Sequence, residues 1–378
     1  PDRIYQGLYR IAGTDQKERI PRSYSTQMQV MINTLNDIRT SDKQISGTHG
    51  IGVLMANSLM FQRFPDHNGY DDPQFSSFYG QTLPLLKRGI PVELVHMENT
   101  PFKDTFNGLQ VLVMSYSNMK PMKSEYHNYL ADWVKKGGTL VYCGEDVDPY
   151  QTVLEWWNTE GNAYKAPSEH LFEAMGLSRN PGDGTYRFGK GTVIVMREDP
   201  KHFVLKGGND RKYFETIASA YESKTGKKIE IKNNFMVERG PYTIAAVMDE
   251  SSSKEPLKLS GLYIDLFDKD LPILTVKQIN PGEQGYLYDL NKVLGKVKAK
   301  VLCGASRIYD EKVGKQSYSF VAKSPLHTTN VSRALLPRKP GKVLVNGKAE
   351  QPEWNESSKT LLLSFENDPA GVNVSIEW

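Results

Sequence analysis

From residue 50 onward the apolar positions follow two alternating rhythms. Ile51–Ala56, Pro91–His96, Leu109–Met114 and Thr139–Cys143 are short and almost continuously apolar, the pattern of strands covered on both faces. Between them lie helical spacings. Phe75, Phe78, Tyr79 and Leu86 fall along a helix that Gly89 ends. Ser124 is placed to cap a second, with Tyr126, Tyr129, Leu130, Trp133 and Val134 on one face and Gly137-Gly138 as its stop. Asp148-Pro149 predicts the opening of a helix over 151–157, and Ser168 the cap of another bearing Leu171, Phe172 and Met175. A strand over 189–196 and a helix over 213–221 complete the series. Strands separated by helices at this spacing predict a doubly wound parallel sheet, and the right-handed crossover leaves the flavodoxin-like order as the commonest arrangement.

Upstream, Tyr24, Met28, Met31, Leu35 and Ile38 make a narrow helical stripe, expected to pack on a neighbour as the end of a preceding unit or as a brace. Beyond about 229 the helical rhythm stops. Short strands follow at 235–237, 242–248, 257–264, 273–279, 285–290, 298–303, 318–321, 342–345, 360–365 and 372–378, with Gly, Pro, Asp and Ser between them. Asn346-Gly347 has hairpin-turn composition. This half reads as β-sandwich. The expected class is multidomain, α/β plus all-β: a helical segment 1–45, an α/β domain 46–228 and a β-sandwich region 229–378, one domain or two split near 296.

Composition narrows the function classes. With 47 Lys and Arg against 44 Asp and Glu, the net charge of +3 is too small to argue for a nucleic-acid partner. No run of 18 apolar residues is present, so no membrane partner is expected. Two cysteines, Cys143 and Cys303, exclude a disulfide scaffold and lack metal-ligand spacing, as do the seven histidines. No cofactor is implied, and no compartment is favoured. The first residue is Pro1 with no leader pattern after it, which reads as a processed chain or a fragment of a longer protein.

Ligands of an open parallel sheet gather beyond the carboxyl ends of its strands. That rule selects Asn57 and Ser58, then Ser115, Tyr116 and Asn118, then Cys143, Glu145, Asp146 and Asp148. Of these, Asn57, Ser115, Asn118, Glu145 and Asp146 are the candidates for a ligand-facing edge; the alternative reading of each is a loop or cap residue. Cys143 is an alternative nucleophile, with His170 or His202 as its base, against the reading of an inert buried thiol. Glu145, Asp146 and Asp148 could supply an acid and a base for glycoside hydrolysis, or simply cap and solvate a turn. Trp156, Trp157 and Trp354 are candidate sugar platforms or core residues. The glycines of 182–191 precede a strand, the wrong context for a phosphate loop.

The stretches FSSFYGQTLPLLKRGIPVELV (75–95) and LQVLVMSYSNMKPMKSEYHNYLADWVKKGGTLVYCGEDVD (109–148) resemble the class I glutamine-amidotransferase-like, or trimerisation, domain of family 42 β-galactosidases and related glycoside hydrolases. ERGPYTIAAVMDES (238–251) with LSGLYIDLFD (259–268) is similar to the sandwich that follows it. The likeness covers roughly 50–290. It implies a non-catalytic accessory and assembly role beside a preceding catalytic barrel, in a homo-oligomer, with carbohydrate as the ligand class. It carries no catalytic residue onto this chain: Val141-Tyr142-Cys143-Gly144-Glu145 departs from the Gly-x-Cys-x-Gly of true amidotransferases, and their His-x-Glu is missing. The two rivals are a stand-alone hydrolase using Cys143 and a carbohydrate-binding module.

Overall fold

The computed structural model describes residues 8–10, 13–38, 43–58 and 74–378; Pro1 lies outside them. The chain forms a mixed α/β unit, residues 46–235 with 250–254, and a β-rich unit made of the described residues up to Ile45, then 236–249 and 255–378. Helix α1 (Arg22–Asp37) and strand β1 (Lys43–Ile45) belong to the β-rich unit.

The α/β unit opens with β2 (Ile51–Met55). A π-helical turn at Phe75–Tyr79 then runs into α2 (Gly80–Leu86). There follow β3 (Glu93–His96), β4 (Val111–Met114), α3 (Tyr126–Lys135), β5 (Thr139–Cys143), α4 (Pro167–Ala174), β6 (Gly184–Phe188), β7 (Gly191–Met196) and α5 (Asn209–Thr225). The sheet order is β3-β2-β4-β5-β7-β6, parallel except for β6, which runs antiparallel to β7 at the edge.

Period-two alternation divides each strand between two cores. Leu112, Met114, Leu140, Tyr142, Val193 and Val195 meet Leu130 and Val134 of α3 and Leu171 and Phe172 of α4. Ile51, Val53, Val111, Val113, Val141 and Cys143 meet Leu85 of α2 and Tyr213, Ile217 and Ala220 of α5. Each fully buried aliphatic side chain contributes about 1.5–3 kcal/mol, and this two-sided burial accounts for the unbroken apolar runs of β2, β4 and β5. The run at 91–96, expected to be covered on both faces, instead forms the edge strand β3, where Glu93, Leu94 and His96 are exposed and Val95 alone is buried.

Local expectations fail where a side chain has other work. No helix spans 151–157; turns occupy it. Asp148 accepts from the Tyr150 amide, as a cap would, but Val153 and Leu154 are 45% and 79% exposed, so the segment buries Trp157 at its end without a continuous apolar stripe. Helix α3 begins without a side-chain cap from Ser124. Ser168 does not cap α4 either, because its hydroxyl donates to Asp146. Gly176, at φ +67°, does end that helix turn.

In the β-rich unit, β8 (Asn234–Arg239), β9 (Tyr242–Val247), β10 (Leu257–Asp265), β11 (Ile273–Ile279) and β12 (Gln284–Asp289) join β1 in an antiparallel sheet ordered β11-β10-β12-β9-β8-β1. The rest is β13 (Lys300–Gly304), β14 (Arg307–Val313), β15 (Ser317–Lys323), β16 (Thr329–Leu335), β17 (Lys342–Val345), β18 (Lys348–Ala349), β19 (Glu353–Asn355), β20 (Thr360–Glu366) and β21 (Val372–Glu377). Sheets β13-β16-β20-β19 and β14-β15-β21-β17-β18 face each other across Val301, Tyr318, Phe320, Ala334, Leu361, Leu363, Val374 and Ile376. Asn346 and Gly347 both have positive φ in the two-residue β17–β18 hairpin, as a type I′ turn requires.

Strands β14 and β16 have no counterpart in the sequence reading. β14 is an edge strand exposed along almost its whole length, so it shows no alternation. β16 is buried on both faces yet carries Asn330, Ser332 and Arg333. Their hydrogen bonds make the burial affordable: the Arg333 guanidinium donates to the Leu271 carbonyl and Thr360 hydroxyl, and the Asn330 amide to Ser332.

Helix α1 buries the face opposite to expectation. Tyr24 and Leu35 are 50% and 58% exposed, while Ser25, Thr26, Gln29, Val30 and Thr34 are inside. The physical reason lies in what the helix covers. Thr26 donates to the Thr329 carbonyl and Asn33 to the Gly304 carbonyl, so the inward face must supply donors to strand backbone. Only Val30 enters the core there, against Tyr242, Tyr286, Leu302 and Leu335.

Gly191 opens β7 with its Cα against backbone; an added Cβ would lie 1.9 Å from the Val134 carbonyl oxygen and 2.4 Å from that of Gly138. Gly191→Ala is expected to destabilise the α/β unit by about 3 kcal/mol, whereas Gly341→Ala, with open space around it, should stay within about 0.5 kcal/mol. Chemical denaturation followed by circular dichroism compares the two; equal midpoints would contradict this packing.

Candidate functional site

The carboxyl ends of β2, β4, β5 and β7 bring most of the singled-out residues to one edge of the α/β unit. Beyond β5 the chain turns through Gly144, whose space is limited by the Ser115 and Ser117 hydroxyls, into Asp146 at φ +58°. Asp146 accepts hydrogen bonds from the Tyr142 hydroxyl, from Ser168 at 2.7 Å and from the Arg197 guanidinium at 2.7 Å. Two residues on, Asp148 accepts from Lys120 Nζ at 2.6 Å, the Asn118 amide at 3.3 Å, the Tyr150 amide at 3.0 Å and Gln151 Nε2 at 3.1 Å. Both sides of the Lys120–Asp148 pair are less than a tenth exposed. Burial pulls the Lys120 ammonium pKa down, and Asp148 opposes that pull.

Each candidate can now be placed. Ser115 is fully buried and its hydroxyl accepts from the Ser117 amide. Asn118 is buried at φ +54°, and its side-chain carbonyl has no protein partner. Asn57 is exposed and its backbone amide donates to Glu98. Ser58 is tied to Lys120 in both directions, donating to its carbonyl and accepting from its amide. Glu145 is exposed and engages no other described side chain. Of the carboxylates singled out from the sequence, two are thus each matched to a cation and one, Glu145, is exposed without such a match; Glu98 adds a further carboxylate that accepts from the Asn57 amide. An acid–base pair needs two groups free to exchange protons with a substrate; Asp146 and Asp148 are instead committed to holding loops.

Cys143 lies on the face of the sheet covered by α2 and α5, wholly buried. Burial pushes its thiol well above the ordinary range, and the carboxylates of Glu198 and Asp183 add to the rise, so it stays protonated. His170 is on α4, across the sheet from that face, and therefore cannot serve as its base. His202 approaches Glu198 at 3.9 Å instead. Trp157 is core at 2% exposure, with its indole N–H donating to the Gln151 carbonyl. Trp156 donates to the Pro121 carbonyl, and Trp354 packs on the sandwich core while donating to Glu356.

The sequence reading missed a buried array beside this edge. On α3 it is His127, rather than Tyr129, that shares the inward face with Tyr126, Leu130 and Val134. The Tyr116 hydroxyl meets His127 Nε2 at 2.6 Å, and His127 Nδ1 meets His170 Nδ1 at 2.8 Å. Burial, and secondly the charge of His170, push the His127 pKa well below its ordinary value; burial lowers that of His170. Burial also raises the Tyr116 phenol well above its usual range, so the phenol keeps its proton. With both imidazoles neutral, one consistent arrangement has Tyr116 donating to Nε2 of His127 and His127 Nδ1–H donating to His170. A protonated His170 would donate through Nδ1 and force His127 into the opposite tautomer, with Nδ1 accepting and Nε2–H turned toward the Tyr116 oxygen. No local pattern signals this trio, because its members are united only by the packing of α3 and α4 on β4.

No protein-family model matches the chain, and no curated protein matches it either. Solved structures similar to it include the β-galactosidase of Bacillus circulans sp. alkalophilus, at 11% identity and a TM-score of 0.42 over 70% of this chain and 43% of that one. A catalytic mutant of Gan42B, a GH42 β-galactosidase from G. stearothermophilus, is 14% identical with a TM-score of 0.37, over 64% and 40%. The α-L-fucosidase isoenzyme 2 of Paenibacillus thiaminolyticus is 9% identical with a TM-score of 0.30, over 89% and 49%. The chain spans less than half the length of each. It is distantly similar to glycoside hydrolases, and superpositions this loose decide nothing about activity.

Removing Asp148 strands a buried ammonium. Asp148→Ala is expected to cost about 3–5 kcal/mol, while Glu145→Ala changes stability by no more than about 0.5 kcal/mol; urea titration of both variants checks the contrast. The histidine array sets a pH dependence. In the unfolded chain both imidazoles titrate near 6.5, and in the folded chain lower, so the unfolded state binds more protons below that pH. Their contribution is full above about pH 6.5 and is lost as pH falls through the folded-state values. The denaturation midpoint should drop between about pH 7.5 and 5.5, and His127→Gln should flatten that drop; an unchanged profile in the variant rejects the assignment.

Proposed function

We propose that this chain is a non-catalytic accessory and assembly portion of a carbohydrate-active enzyme, with a flavodoxin-like, amidotransferase-like module as its α/β unit. One observation carries this reading. Where a parallel sheet places its ligands, Asp146 and Asp148 are each neutralised by a cation of the same unit, and Cys143 is shut into the core. Side chains held in this way support a fold and leave proton transfer and nucleophilic attack to other residues. The order of the five parallel strands, 2-1-3-4-5 counted along the chain, supports the flavodoxin-like reading. The resemblance of residues 75–95 and 109–148 to the trimerisation domain of family 42 β-galactosidases supports the enzyme class.

The partners follow from the same reading: a catalytic barrel preceding this portion, further copies of the chain, and carbohydrate as the substrate of the assembled enzyme. The face of α1 that carries Tyr24, Ile32 and Leu35 to the surface is apolar enough to favour cover by protein.

Assay of this chain alone against a panel of nitrophenyl glycosides tests the proposal. Turnover at the level of the buffer blank is expected. Robust hydrolysis that survives repurification, and that falls on Glu145→Gln or Cys143→Ser substitution, would overturn it.

A further inference from the structure

The β-rich unit holds a groove of about 590 Å3 where β13 and β14 diverge. β13 is the edge of one sheet of the sandwich and β14 the edge of the other, and Ala305-Ser306 is the corner between them. The C-terminal half of α1 forms the third wall. Both strands are bulged along the groove, with register shifts between Val301 and Cys303 and between Tyr309 and Lys312. Bulges bend a strand and re-aim its side chains; the second one holds Asp310 at φ +52°.

Hydrogen-bonding capacity around this groove is left over. Ser306 is 3% exposed, lines the groove, and its hydroxyl has no protein partner. A buried polar group without a partner is destabilising and calls for a reason. The side chains of Asn36, Arg307 and Asp310 also engage no other described residue. Asn33 uses its amide N–H on the Gly304 carbonyl, leaving its carbonyl oxygen, and Asp37 uses one oxygen on the Tyr242 hydroxyl, leaving the other.

Donors and acceptors therefore alternate around one space. The charges are mixed, Asp37, Asp310 and Glu311 against Lys300 and Arg307, so neither a simple anion nor a simple cation is served. A neutral molecule that both donates and accepts at every carbon satisfies such a lining. Tyr309, 43% exposed on the same strand, has Lys323 Nζ over its ring at 5.4 Å from the centroid, so one ring face at most is open to the C–H face of a pyranose. The volume falls within the roughly 300–1,000 Å3 of small-molecule sites.

We propose that this groove binds a neutral carbohydrate of one or a few sugar units, through Asn36, Asp37, Ser306, Arg307 and Asp310. The site is separate from the strand-end edge of the α/β unit, and it stands whether or not the accessory role does.

Isothermal titration calorimetry of the whole chain with methyl β-galactoside, lactose, cellobiose and maltose tests it, with inorganic phosphate in parallel. Saturable binding of at least one sugar is expected, with a dissociation constant of roughly millimolar or tighter, and no heat from phosphate. Asn36→Ala and Arg307→Ala, both at exposed positions, should each weaken that binding about tenfold. Ser306→Ala should weaken it without lowering the melting temperature, since the free protein loses only an unsatisfied hydroxyl. No binding by any of the four sugars, binding that phosphate displaces, or sugar binding unchanged in both Asn36→Ala and Arg307→Ala would overturn the proposal.

Discussion

A lysine ammonium and an aspartate carboxylate meet at 2.6 Å beyond the end of β5, both almost entirely out of water. Such a pair contributes little over an apolar replacement, yet losing either half is severe, because the survivor stays buried and uncompensated. Asp148 therefore fixes more than Lys120: the Asn118 and Tyr150 amides and the Gln151 side chain all converge on it. Through Lys120 the constraint passes to Ser58 and the end of β2. Asp146 repeats the device with Arg197, Ser168 and Tyr142, tying β5, α4 and the end of β7. The loops where a parallel sheet most often holds chemistry are here cross-braced by their own acids.

The same edge carries the Tyr116–His127–His170 array, whose order depends on protonation. A neutral imidazole has one donor and one acceptor, so a line of two with a phenol at its head has a direction. Burial keeps both imidazoles neutral, so each contributes one donor and one acceptor and the whole line must run one way or the other. Trp156 and Tyr164 close around His170 edge-on, which limits the water that could offer the array another partner.

The β-rich unit solves a different problem. Sheets have edges, and edges leave backbone groups unpaired. Helix α1 answers part of this by turning Asn33 toward the Gly304 carbonyl of the edge strand β13, while Thr26 reaches the Thr329 carbonyl at the start of the interior strand β16; Tyr24 and Leu35 are left outside. Where β13 and β14 separate, the edges are bulged and bordered by unpaired polar side chains, and the groove lies there. The support proposed for one unit and the recognition proposed for the other are compatible in one chain.

The apolar runs at 51–56, 109–114 and 139–143 determined three buried strands by themselves, since a strand covered on both faces needs only continuous hydrophobicity and a turn at each end; the run at 91–96 gave the strand β3 but not its exposed position at the sheet edge. The helices between them, and the positive-φ hairpin at Asn346-Gly347, were legible for the same reason: their signals are local. Other features needed the tertiary structure. Which face of α1 turns inward depends on carbonyls some 270 to 300 positions away. His127 and His170 are 43 positions apart, and Asp146 and Arg197 51. The inertness of Cys143 depends on α2 and α5 covering it. Strand β16 hides Arg333, whose partners are the carbonyl of Leu271 and the hydroxyl of Thr360, 62 and 27 positions away, so its burial broke the apolar pattern. Periodicity records what a segment does with its immediate neighbours, whereas hydrogen-bond satisfaction, charge pairing and burial depth are settled between segments, where a single sequence carries no repeating mark.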